Sequence, residues 1–377
     1  MKSLIFKSLA ILLVLAIAIW LLMPSYLRKA LIYQHAGIED YTLFANGMVE
    51  KGTPIPWAIH KNYNKVKISD SSLAHFSEFG TIAFLVIKND SILHEEYWDG
   101  YSDSSYSNSF SMAKSIVSLL IGCALDEGKI KSLDQPITDY IADYKGPEYE
   151  KITIKDLLTM SSGLNWDEAY SSAFSITTKA YYGNDLPGLV ASLEPIEEPG
   201  KVHRYKSGDT QILSMIVEKA TGKHLAEYAS EKLWKPLGAE HSALWSLDKE
   251  DGNEKAYCCF NSNARDFARI GQMLLDSGQF NGKQIVSKEY IRHATSPAVW
   301  LKDDKGKSCN YYGYQTWMIT YKGMKINYAR GILGQYIFVI PDKHAVIVRL
   351  GHKRSEVYAG IVPTDVFIFL DAALSLL

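Results

Sequence analysis

The chain has 377 residues, 47% hydrophobic and 22% charged, which is enough apolar material for a large core in one domain or two lobes and argues against disorder. A formal net charge of −2, with no long Lys/Arg run on a recognisable binding motif, gives no reason to expect a nucleic-acid partner. The four cysteines, Cys123, Cys258, Cys259 and Cys309, show no Cys-x-x-Cys or Cys/His spacing of a zinc site, so neither a metal nor a cofactor is expected.

Lys2 and Lys7 precede an uncharged run from Ser8 to Met23, closed by Pro24 and followed by Arg28 and Lys29. The run is longer than a signal-peptide core of about 7 to 15 residues and shorter than the about 20 of a spanning helix. Ala16-Ile17-Ala18 offers a small-x-small cleavage site, but cutting there leaves a greasy Ile19-Trp20-Leu21-Leu22-Met23 terminus. Residues 1–29 are therefore read as a signal segment or uncleaved anchor, with the membrane as a partner and residues 30–377 held outside the cytoplasm.

In the body, Thr81–Ile87 and Ser91–Trp98 flank Lys88-Asn89-Asp90, the pattern of a β-hairpin. Ser111 to Leu125 is the one strongly apolar helical run, with almost no polar face, and is predicted to be buried. Helical signals follow at Ile154–Met160, Asp209–Ala220, Leu225–Leu233 and Ala264–Ser277, joined by Gly/Pro loops. Short β-rich runs at Gly313–Tyr321, Lys325–Arg330, Gln335–Ile340 and Ala345–Leu350 read as an antiparallel meander, and Thr364–Leu376 as a closing helix. Strands at both ends with helices between predict an α/β fold: one antiparallel sheet built from both chain ends and flanked by helices, with an inserted, mainly helical lobe. The expected division is 30–128 and 311–377 for the α/β lobe and 129–310 for the helical lobe, with the cleft between them lined by the buried helix.

Ser111-Met112-Ala113-Lys114 opens that helix. Residues three apart share a helix face one turn apart, so serine and lysine can touch. A serine hydroxyl is a poor nucleophile until a base takes its proton, and lysine is such a base only when neutral. Burial supplies the reason, because desolvation disfavours the ammonium. Ser111 would also stand beside the unpaired N–H groups of a helix start, a natural place for a developing oxyanion. A second Ser-x-x-Lys, Ser246-Leu247-Asp248-Lys249, sits in an acidic, polar stretch and is read as a solvated loop. Among the cysteines, Cys123 reads as a small core residue, and one of the adjacent pair Cys258/Cys259 is a candidate to bridge to Cys309.

Several motifs in order make the chain resemble the class C β-lactamase-like, penicillin-binding-protein-like serine hydrolases, in the branch of 6-aminohexanoate-dimer hydrolase. They are Ser111–Ser115, Leu157–Leu164, Glu198-Pro199-Gly200 with Tyr205-Lys206-Ser207, Trp234–Gly238, Ala264–Gly271 and Gly331–Gln335. The resemblance implies a β-lactamase/transpeptidase-like fold and an acyl-enzyme on Ser111. It makes Tyr205 of the Tyr-x-Ser motif a partner of Lys114 in proton transfer, with the base left open between the two; a phenol near a cationic lysine is expected to lose its proton more readily. Ser207 belongs to the same motif.

The family's third motif, a strand bearing Lys-Thr-Gly or His-x-Gly opposite the serine, is altered here: Ile332 stands in place of the cation, followed by Leu333 and Gly334. Gly334 is expected to leave room for substrate, and the N–H of Gln335 to join that of Ser111 in the oxyanion hole. Loss of the cation weakens the case for β-lactam or D-Ala-D-Ala turnover, unless Arg330, two residues earlier, compensates; pairing with surface acids is the plainer role for it. Tyr170 is expected in a loop that closes over substrate, His203 as packing, and His352 and Arg354 near the cleft rim without a role. The expected partner is a small ester or amide or a short peptide; the rival is a non-catalytic, penicillin-binding-like recognition module.

Overall fold

The computed structural model describes residues 2–377, with side chains from residue 5 onward. Its first element, helix α1 (Lys2–Leu22), includes an apolar stretch Ile5–Leu22 of mean hydropathy 2.6, none of it buried against the rest of the protein. After Pro24 a short helix, Ser25–Tyr33, docks on Ile176–Tyr182 through the stacked rings of Tyr33 and Tyr182, 6.0 Å apart.

The main sheet has seven strands: β1 (Ala58–Ile59), β2 (Thr81–Lys88), β3 (Ser91–Tyr97), β4 (Trp317–Tyr321), β5 (Met324–Gly331), β6 (Gln335–Ile340) and β7 (Ala345–Gly351). Their order across the sheet is β4-β5-β6-β7-β2-β3-β1. The C-terminal meander is antiparallel throughout and joins the N-terminal hairpin where β7 pairs β2, Ile347 opposite Val86; only the edge strand β1 runs parallel to its neighbour β3. Both chain ends thus build one sheet, as the sequence predicted.

Strands β2, β6 and β7 are apolar almost without interruption because both faces of the sheet are covered, and side chains alternate between two cores. Ala83, Leu85, Ile87, Ile337, Val346 and Val348 face one core, while Phe84, Val86, Tyr336, Phe338 and Ile347 face the other. The first core receives helices α2 (Met112–Asp126), α3 (Ser207–Thr221) and α4 (Ala264–Leu275). The second receives Asp70–Glu78 and α5 (Asp365–Leu376), where Phe76 packs on Phe84 and Phe369 at 4.8 and 5.2 Å.

Helix α4 crosses the expected lobe boundary. It lies on the sheet, with Gly271 so close that an added Cβ would stand 2.4 Å from Val346 and 2.8 Å from Ile337. The middle of the chain is also less purely helical than its periodicity suggests: Asn46–Val49, Ser107–Asn108, Ala243–Ser246 and Phe260–Ser262 form a second, four-stranded antiparallel sheet. These strands are too short for alternation to show. The second Ser-x-x-Lys falls here and is not a solvated loop. Ser246 and Asp248 are buried, the serine hydroxyl donating to Asn46 Oδ1 at 2.9 Å and the carboxylate accepting from the N–H groups of Leu186 and Asn253, which leaves Lys249 alone in solvent.

Candidate active site

Helix α2 is buried from Met112 to Ala124, and Ser111 is the residue at its N-terminal cap. The entry is tight. Phe110 takes a positive φ of 43°, a conformation costly for a bulky side chain, and is held there by its N–H donating to Asn108 Oδ1 at 2.9 Å. Ser111 makes no capping hydrogen bond with its side chain, so its hydroxyl is left for other partners.

Lys114 provides the first. Its Nζ lies 2.9 Å from Ser111 Oγ and 2.7 Å from the carbonyl oxygen of Tyr257, and over the rings of Tyr205 and Tyr257 at 5.1 and 5.7 Å from their centroids. Only 1% of Lys114 is exposed, and desolvation lowers its ammonium from the ordinary lysine range to about 8, against an opposing pull from Glu168. A substantial neutral fraction near pH 8 follows.

Tyr205 is brought to the same place, its ring 5.1 Å from the Lys114 nitrogen and its phenol near enough to Ser111 for the serine to act on it. Ser111, Lys114 and Tyr205 are thus brought together at the start of α2. The expected loss of the phenol proton does not follow, however. Burial, and next the Glu168 carboxylate, push Tyr205 well above its ordinary range and outweigh the Ser111 contact, Arg330 and Arg354, so the group is a neutral phenol at physiological pH.

Glu168 has no sequence signal and is central here. It accepts from the Ser207 N–H at 2.7 Å and the Ser207 hydroxyl at 2.6 Å, and from the hydroxyl of Tyr170. Ser207 is thereby committed to holding Glu168 rather than facing Ser111. Tyr170 has half its surface exposed while its hydroxyl donates to Glu168.

The third-motif region departs from expectation in two ways. Ile332, Leu333 and Gly334 form the turn between β5 and β6, with Leu333 at φ 60°. The space beside Gly334 is filled by Arg349, whose Nη1 would lie 2.1 Å from an added Cβ, so this glycine makes room for a guanidinium and not for substrate. Gln335 pairs with Gly331 across the ladder, and its buried side-chain amide is bonded to Gly351. Gly331 is the residue that meets the serine loop, where an added Cβ would stand 2.3 Å from the Ser109 carbonyl oxygen.

Arg330 has no acidic partner among the described residues. It lies 3.7 Å above the Trp317 ring and donates to the Ile361 carbonyl at 2.9 Å, and Trp317 in turn lies 5.4 Å from the Tyr205 ring. Arg354 stands near Tyr205 and Tyr170, close enough to act on both phenols. His203 is buried packing, its Nδ1 on the Thr159 carbonyl at 3.0 Å and its ring against Tyr312; His352 sits at the outer edge beside Glu39. Cys258 and Cys259 are bonded to each other, immediately after Tyr257, and Cys309 is free and buried, so the expected bridge to Cys309 is replaced by one between neighbours.

A sheet built from both chain ends, with a Ser/Lys/Tyr cluster at the start of the buried helix behind it, defines a hydrolase of the β-lactamase/transpeptidase fold. The chain belongs to the beta-lactamase family, whose model matches residues 70–363. It is similar to 6-aminohexanoate-dimer hydrolase of Paenarthrobacter ureafaciens, 28% identical over 285 residues and 72% of each chain. A Bacillus anthracis protein provisionally assigned as a 6-aminohexanoate-dimer hydrolase superposes with a TM-score of 0.78 at 21% identity, covering 93% of this chain and 95% of that one. A family VIII carboxylesterase shares the fold with a TM-score of 0.65 at 17% identity, covering 85% and 99%.

Proposed function

We propose that the protein cleaves an ester or amide through an acyl-enzyme on Ser111, with Lys114 as the base and Tyr205 as the proton donor. The observation that carries this reading is the buried amine of Lys114 on the Ser111 hydroxyl at 2.9 Å. Neutral Lys114 accepts the serine proton as Oγ attacks the carbonyl carbon. The N–H of Ser111 at the start of α2, with a backbone N–H from the β5–β6 turn where Gly331 closes on Ser109, takes the charge on the carbonyl oxygen. The tetrahedral adduct collapses as the Tyr205 phenol gives its proton to the leaving group and recovers one from the Lys114 ammonium. Water then attacks the acyl-enzyme as Lys114 takes one of its protons, and the adduct collapses as Lys114 hands that proton to Ser111 Oγ, which restores the free hydroxyl and the neutral amine.

Small esters and short linear amides are the favoured substrates, in keeping with the carboxylesterase and the dimer hydrolase among similar proteins. Reaction with a fluorophosphonate followed by mass analysis tests the mechanism. An adduct on Ser111, lost together with esterase activity in Ser111→Ala, is expected; hydrolysis surviving that substitution, or no adduct at all, rejects it. The exposed apolar α1 supports an uncleaved anchor that keeps the catalytic part outside the cytoplasm; a chain found in the soluble fraction without detergent, or starting after Ala18, overturns that assignment.

A further inference from the structure

Away from the active site, three segments converge on a group of side chains that the hydrolysis does not use. Glu218 lies in the last turn of α3, His224 follows the Gly222 cap of that helix, and Glu254 ends the loop that returns from Leu247. One ligand atom from each lies within 4.8 Å of the others, and His224 Nδ1 stands 3.9 Å from Glu218 Oε1.

Glu254 is the informative member. It is 3% exposed; its Oε1 accepts from the Ala226 N–H at 2.9 Å, while its Oε2 is buried with no hydrogen-bond partner. A buried carboxylate oxygen without a donor is costly, and a second carboxylate beside it adds repulsion unless something positive lies between them. Among the described residues no lysine or arginine pairs with either carboxylate: Lys223 is engaged by Glu231 and Glu227, and Lys235 by Glu50. The adjoining groove also carries Asp251, a carboxylate with no ion pair among the described residues.

We propose that Glu218, His224 and Glu254 bind a single divalent cation of the zinc type. An imidazole nitrogen with two carboxylates suits zinc, whereas magnesium and calcium take all-oxygen sets. Bonds of about 2.0 to 2.2 Å require the three atoms to draw together. His224, whose side chain is 71% exposed, is free to do so, and the groove leaves a fourth position open to water. The ion ties the end of α3 to the following helix and to the 247–254 loop. Expecting no metal from cysteine spacing overlooked this set, because its ligands come from separate segments.

The experiment uses the full chain in detergent, stripped with a chelator and followed by calorimetry and thermal unfolding at pH 7.5 with zinc chloride and, separately, magnesium chloride. One equivalent of zinc is expected to bind and raise Tm by several degrees, with magnesium inert. Glu218→Gln and the exposed His224→Ala are each expected to weaken zinc binding at least about 10-fold. Absence of a zinc response in the unaltered chain overturns the proposal and leaves a proton shared between Glu218 and Glu254 as what relieves their repulsion. Unchanged binding in both variants also overturns it and identifies an adventitious ion only.

Discussion

In the proposed mechanism Lys114 works as the neutral amine, and burial, which brings its ammonium down to about 8, then fixes the shape of the pH profile. Activity, rather than stability, is the quantity concerned: kcat/KM rises with pH as Lys114 loses its proton and levels off above about 8. Because Glu168 raises that value, Glu168→Gln moves the acid limb of the profile to lower pH, measured as kcat/KM from pH 6 to 9.5; a limb that moves up refutes the assignment of Lys114 as base. Lys114→Arg keeps the positive charge but cannot deprotonate, and lowers kcat/KM by about 10² to 10⁴-fold. Arg330, stacked on Trp317 and without an acidic partner among the described residues, stands near enough to Tyr205 to act on its phenol, and we propose that it meets a substrate carboxylate. Arg330→Ala is expected to raise KM about 10-fold or more for an amide bearing a carboxylate near the scissile bond, and to leave a neutral ester unaffected. Ser111, Lys114 and Tyr205 were legible because a helix turn and a motif order bring them together. Glu168 and the Tyr257 carbonyl were not: one is a lone acid in a loop, the other a backbone atom that carries no residue-type signal.

At the level of elements, the hairpin, the meander and the buried helix could be read from apolar runs, since continuous burial on both sides of a sheet leaves few alternatives. Boundaries drifted where tertiary contact decides: the first meander strand begins at Trp317 rather than Gly313, and α3 starts at Ser207 because Glu168 accepts that residue's N–H. Two glycines separate stability from function. Gly271→Ala presses a methyl into Val346 and Ile337 inside the core and is expected to cost about 1 to 3 kcal/mol in thermal or denaturant unfolding, with kcat/KM per folded molecule unchanged. Gly331→Ala meets the Ser109 carbonyl, a backbone atom next to the nucleophile, and is expected to lower kcat/KM at least about 10-fold with a smaller effect on unfolding. A reversal of that pattern would show that Gly331 does not shape the site.

For the molecule as a whole, one sheet from two chain ends could be read from the sequence, whereas the helix 264–275 carries an amphipathic pattern that does not say which surface it will cover. Among the described residues none of Ile5–Leu22 is buried, whereas Ser25–Tyr33 is docked by the Tyr33–Tyr182 stack. Removing residues 1–24 is therefore expected to leave Tm and kcat within experimental error, and removing 1–34 to lower Tm, both read by thermal unfolding; a fall in Tm with the shorter deletion contradicts an unpacked α1. The Cys258–Cys259 pair joins consecutive residues directly behind the carbonyl that receives the Lys114 amine. A covalent loop closed through a single peptide unit stiffens the main chain at the point where the catalytic amine is parked. Thiol reagents commonly added to protein buffers would open that loop and slacken the support of the amine without touching any group that reacts, so preparations handled under reducing and oxidising conditions should differ in turnover while showing the same nucleophile to a covalent probe.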